Sequence, residues 1–180
     1  SGAAPEAHDH AHGADECCTP PPPDQADTFY RRFLKTAIVL SLSVGATFGA
    51  VLLVYKSFLA LGWAGGNPAL WWTAHVQVHA HVPLFGWIGL FIMGIAYHVV
   101  PRFNGTTLRR RDLAVASFWL LLAAILMRMY FQPLSTEKWA AHVVIWASAF
   151  GMAAAILYAV VMRDVRASGT KGPQIQDGYL

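Results

Sequence analysis

Residues 71–102 read WWTAHVQVHAHVPLFGWIGLFIMGIAYHVVPR, with no Asp, Glu, Lys or Arg until Arg102. At about 1.5 Å per residue, a helix of that length spans more than the roughly 30 Å hydrocarbon core of a bilayer. The stretch therefore predicts a membrane-spanning helix, and it decides the fold class. It also holds four histidines, His75, His79, His81 and His98. Imidazoles in so apolar a setting need partners, because a buried polar group without one costs on the order of a few kcal/mol. A metal, above all a haem iron, is a partner that would use several of them.

The rest of the 180-residue chain agrees with this reading. Hydrophobic residues make up 56% and charged residues 13%, against roughly 25% charged in a soluble domain. Mean hydropathy is +0.41, and the length allows one small helical bundle. Charge-poor runs predict spans over residues 33–61, 71–101, 112–132 and 138–162. The expected fold class is all-α, an integral membrane four-helix bundle in a domain of residues 29–166, followed by a polar tail of residues 167–180. Gly45 and Gly49 form a small-xxx-small pair that lets a neighbouring helix approach closely. Pro83 is expected to kink the second helix, and Trp71 and Trp72 read as interfacial anchors.

Residues 1–28 are rich in Ala, Pro, Asp and His and predict a disordered tail. The chain starts at Ser1 without Met, so a trimmed or partial sequence is expected, and no signal peptide precedes the first span. His8, His10, His12, Cys17 and Cys18 could hold a soft or borderline metal. Their spacing matches no closed structural site, and a plain solvated tail is the blander reading.

Orientation follows from the basic residues. Arg31, Arg32, Lys35, Arg102, Arg109, Arg110, Arg111, Arg163, Arg166 and Lys171 fall on one side of a four-span topology, and only Lys56 and Lys138 on the other. The positive-inside rule then places both termini in the cytoplasm of a multi-pass protein of a bacterial-type inner membrane. Topology also explains these residues better than nucleic-acid binding does.

With that topology, the histidines can be compared by depth. His75, His79 and His81 lie in the outer part of the second helix, His142 is one turn into the fourth, and Arg128 arrives from the third near the same level. His98 lies roughly 28 Å below His79 and stands apart. Two imidazoles facing each other across a helix pair suit a six-coordinate haem b, and an arginine at the membrane surface suits its propionates. His79 and His142 are the expected pair on the iron. Gly86, about two turns after His79, would let a flat macrocycle lie against the helix. His79 and His81 stand about 200° apart on a helix, so one or two histidines remain, with His75 and His81 as candidates for copper. Structural hydrogen bonding is the alternative for all of these residues.

The end of the quoted stretch, Gly94-Ile95-Ala96-Tyr97-His98-Val99-Val100-Pro101, resembles the Gly-x-Ala-Tyr-Tyr-x-x-Pro-like close of the second helix of haem–copper oxidase subunit I. The nearest likeness is to the C-type oxidases and nitric oxide reductases. That resemblance implies a low-spin haem b ligand at His79. His79-Ala80-His81-Val82-Pro83-Leu84-Phe85-Gly86, with Pro101-Arg102-Phe103-Asn104-Gly105, also looks like the NnrS family of haem–copper membrane proteins, which would favour His81 equally. The chain departs from subunit I in having four spans rather than about twelve. It also lacks a second histidine cluster, and no carboxylate lies between Asp27 and Asp112.

The expectation is therefore a haem carrier rather than an oxidase, not catalytic alone. It would pass electrons through a bis-histidine haem b near the outer leaflet, with other subunits of a respiratory or nitrogen-oxide-related complex or as a homodimer. One alternative is an NnrS-like protein binding or sensing nitric oxide through haem or copper. The other is a structural or metal-delivery subunit without haem.

Overall fold

Four apolar runs become four helices, each long and apolar enough to cross a membrane: α1 (Phe29–Ala60), α2 (Ala69–Phe103), α3 (Arg111–Phe131) and α4 (Lys138–Ala167). The computed structural model describes residues 28–63 and 68–169, and no strand occurs among them. The tail with the histidines and cysteines that could hold a metal lies outside the described residues. In a bilayer each backbone N–H and C=O must find its partner inside the segment, which is why apolar runs of this length fold as helices. Large apolar side chains accordingly face outward, among them Leu42, Leu53, Ile145 and Met152.

Two helix ends differ from the sequence expectation, and packing accounts for both. α1 begins a turn before Phe33 because Phe29 and Phe33, four residues apart, both enter an aromatic cluster. Phe33 lies 5.5 Å from Tyr97 and 4.9 Å from Phe118, ring centre to ring centre. α4 continues to Ala167 because Val165 is buried and Asp164 pairs with Arg110, just ahead of α3. In the same core Tyr97 Oη and Ser117 Oγ share a 2.8 Å hydrogen bond.

The helices alternate in direction. Tyr55 meets Trp71 at one end of α1 and α2, while Phe33 meets Tyr97 at the other. One end of the bundle therefore carries His75, His79, His81 and His142. The opposite end carries Arg102, Arg109, Arg110, Arg111, Arg163 and Arg166.

Glycines set the contact of α1 with α2. A Cβ on Gly45 would stand 3.5 Å from Pro83 Cγ, one on Gly49 3.1 Å from His79 Cε1, and one on Gly94 2.6 Å from Phe33 Cβ. The Gly45/Gly49 pair thus receives α2, as its spacing suggests. Both helices widen to π geometry where they face each other, over Leu40–Gly45 and Val82–Gly89. The π stretch of α2 accommodates Pro83, which has no N–H and would crowd the carbonyl four residues back.

α4 lies along α3 through a seam of buried small or β-branched residues at every seventh position, Ala140, Ala147, Ala154 and Val161. Its contact with α2 is made in the arginine-end half. Toward the histidine end, a cleft separates α2 from α4 above α3.

Gly94→Ala is expected to destabilise the protein by about 1–3 kcal/mol through overpacking against Phe33. Gly151→Ala, whose added methyl would meet only Ala124 Cβ at 3.8 Å, should change stability by less than about 1 kcal/mol. Thermal unfolding of both variants in the same detergent checks the contrast.

Candidate functional site

Three of the four histidines at this end share one local device. The Nδ1–H of His75 donates to Trp71 O at 2.7 Å, that of His81 to Gln77 O at 2.8 Å, and that of His142 to Lys138 O at 2.6 Å. A carbonyl can only accept, so each of these rings carries its proton on Nδ1. That leaves the Nε2 lone pair available, which is the tautomer a metal ligand needs. His79 differs: its Nδ1 is buried without a hydrogen-bond partner, and its ring lies against Gly49.

The four rings have different surroundings. His75 stacks on Trp71 at 3.9 Å, with Phe48 beyond at 6.4 Å, so it packs into the aromatic end of α1 and α2. His79 faces α1. His81 stacks on Phe85 at 5.5 Å and lines the cleft between α2 and α4. His142 is exposed. The cleft-lining residues of α4, Ala147, Ser148, Gly151, Met152 and Ala155, stand roughly 140–280° round the helix from it at about 100° per residue.

The cleft holds about 260 Å³. Its α2 wall carries His81 and Phe85, its floor on α3 carries Leu121, Ala124, Ile125 and Arg128, and the α4 wall is built of small residues with Met152. Arg128 donates to Ser148 Oγ at 2.6 Å and to Gln132 Oε1 at 3.4 Å. Gln132, itself buried, donates through Nε2 to Gln77 Oε1 at 2.7 Å. Gln77 is the residue whose carbonyl holds His81. A continuous polar chain therefore links Ser148, Arg128, Gln132, Gln77 and His81 across three helices, joining the imidazole on one wall to the guanidinium on the floor.

Several expected partners are not brought together. His79 and His142 look in different directions, one toward α1 and the other away from the cleft. Gly86 does not line the cleft: it is buried, with Leu40 and Ile125 where a Cβ would point. Gly151 on α4 is the glycine at this site. His75 and His81 have different neighbours, and among the described residues no three His, Cys, Asp or Glu side chains converge to hold a metal ion. His81 and Arg128 do share the cleft. At the other end His98 lies against Tyr30, ring centres 4.0 Å apart. Gln77, Gln132 and Ser148 were visible in the sequence as polar residues within or beside apolar runs, and Gly151 as a glycine within α4.

The donor set fits a flat, amphipathic, iron-bearing macrocycle. One imidazole presents a free lone pair, one guanidinium has donors to spare for carboxylates, and Gly151 with its neighbouring alanines leaves room for a planar face. Comparison of the chain with protein-family models, curated proteins and solved structures gives no match.

Gln132→Leu is expected to lower stability by about 1–3 kcal/mol, because Arg128 and Gln77 each lose a partner. Adding Gln77→Leu should cost less than it does alone, with a coupling of about 0.5–1.5 kcal/mol. A double-mutant cycle of unfolding free energies in detergent measures that coupling. Additive effects would mean that the two amides act independently.

Proposed function

We propose that the chain is a membrane-embedded haem b protein that passes single electrons as part of a respiratory or nitrogen-oxide-related complex. The observation that supports this most is the cleft in which His81, held in its ligand-competent tautomer, shares an apolar slot with Arg128. When bound, a haem supplies one-electron chemistry at its iron. The chain's own residues do the rest. Gln77 O fixes the His81 ring, Arg128 offsets carboxylate charge, and the apolar walls keep water away. The bias of basic residues to one end supports cytoplasmic termini, with the cleft in the outer leaflet of a bacterial-type inner membrane. The resemblance of α2 to the second helix of haem–copper oxidase subunit I supports a haem b protein but implies His79 as its ligand, whereas the likeness to the NnrS family is equally met by His81.

One observation favours a second reading. The cleft is lined by a single imidazole, so a haem held there by His81 would be able to take a diatomic gas, which is the NnrS-like reading of a protein that binds nitric oxide.

Protein purified in detergent after expression with ample haem should give a b-type pyridine haemochrome. A colourless product would overturn the proposal. Carbon monoxide added to the reduced protein separates the two readings: an unchanged spectrum supports electron transfer, and a shifted Soret band supports gas binding. Arg128→Leu, which removes the guanidinium from the floor of the cleft, should weaken haem binding by about tenfold or more while leaving its type unchanged.

A further inference from the structure

A second cavity, of about 340 Å³, lies at the arginine end between the start of α1, the last turns of α2 and the loop into α3. Its wall includes Phe29 and Tyr97, both buried. Around them stand His98, Arg102, Thr106 and Arg111, and among the described residues no Asp or Glu lines the cavity. The cationic groups are braced by neighbours. Arg102 donates to the His98 imidazole one turn earlier, His98 lies against Tyr30, and the Arg111 guanidinium sits 5.5 Å from the centre of the Phe29 ring. Two guanidiniums, an imidazole and a hydroxyl beside an aromatic wall match a ligand with an anionic head and an apolar body.

We propose that this cavity binds an anionic phospholipid, with its phosphate between Arg102 and Arg111 and the first carbons of its chains against Phe29 and Tyr97. Guanidiniums pair with phosphate oxygens through charge-assisted, often bidentate hydrogen bonds. Basic pockets between membrane helices are suited to such headgroups. A quinone would use the same wall but needs no pair of arginines. His98 also lies 17 residues along α2 from His81, roughly 25 Å, so the cavity is separate from the cleft. This site does not depend on haem binding.

The test uses the full chain, purified in detergent and stripped of lipid. Thermal unfolding is followed with added phosphatidylglycerol, phosphatidylcholine, a short-chain ubiquinone or inorganic phosphate. Phosphatidylglycerol should raise the midpoint by about 5 °C near saturation, and the other three should not. Arg102→Gln/Arg111→Gln should lose the shift, Arg102→Lys/Arg111→Lys should keep most of it, and Arg163→Gln/Arg166→Gln, altered elsewhere at the same end, should keep all of it. Arg111→Gln alone, the milder change, should lose at least half. An equal shift with phosphatidylcholine or phosphate would overturn the proposal, as would a shift with ubiquinone alone. So would a phosphatidylglycerol shift that survives in both Gln variants or disappears in the Arg163/Arg166 variant.

Discussion

Everything at the histidine end depends on how polar groups are satisfied where no water is at hand. Arg128 and Gln77 lie in helices that are otherwise apolar, Gln132 is buried just past the end of α3, and each would be costly there if left alone. The structure resolves this by joining them into one chain from Ser148 to Gln77. The carbonyl of Gln77 then holds His81. The same bonds that satisfy these amides connect α2, α3 and α4 and bring an imidazole and a guanidinium into one cleft.

Which histidine enters the cleft is decided on the opposite side of α2. Gly49 makes room for His79, Gly45 for Pro83 and Gly94 for Phe33, so α1 takes the face of α2 that carries His79. His81 is two residues further on and points to the other side, where α4 stands off. Packing against α1 and exposure to the cleft are therefore two consequences of one register. A change that weakened the α1 contact would disturb the site without touching it.

The sequence made the spans, their alternation and the level of the site legible, because those depend only on where charges interrupt apolar runs. Depth follows from counting residues, and His81 and Arg128 were placed at one level in that way. Direction around each helix was harder to read. It depends on which helices are neighbours, and the π stretch over Val82–Gly89 changes the angular step for every residue that follows. Gly86 was expected beside a cofactor and is buried against Leu40 and Ile125 instead. His142 has the right depth, yet it lies on the exposed side of a helix that turns its seventh-residue seam, not its histidine, toward α3.

The central claim is that His81, within the chain from Gln77 to Ser148, is the chain's own ligand in a haem-binding cleft. Titration of haemin into the purified protein, followed by Soret absorbance and tryptophan quenching, tests it most directly when His81→Ala and His142→Ala are compared with the unaltered chain. The account predicts saturable binding of one haem that His142→Ala retains and His81→Ala loses, with both variants eluting as folded protein. Binding unchanged in His81→Ala, or lost only in His142→Ala, would contradict it.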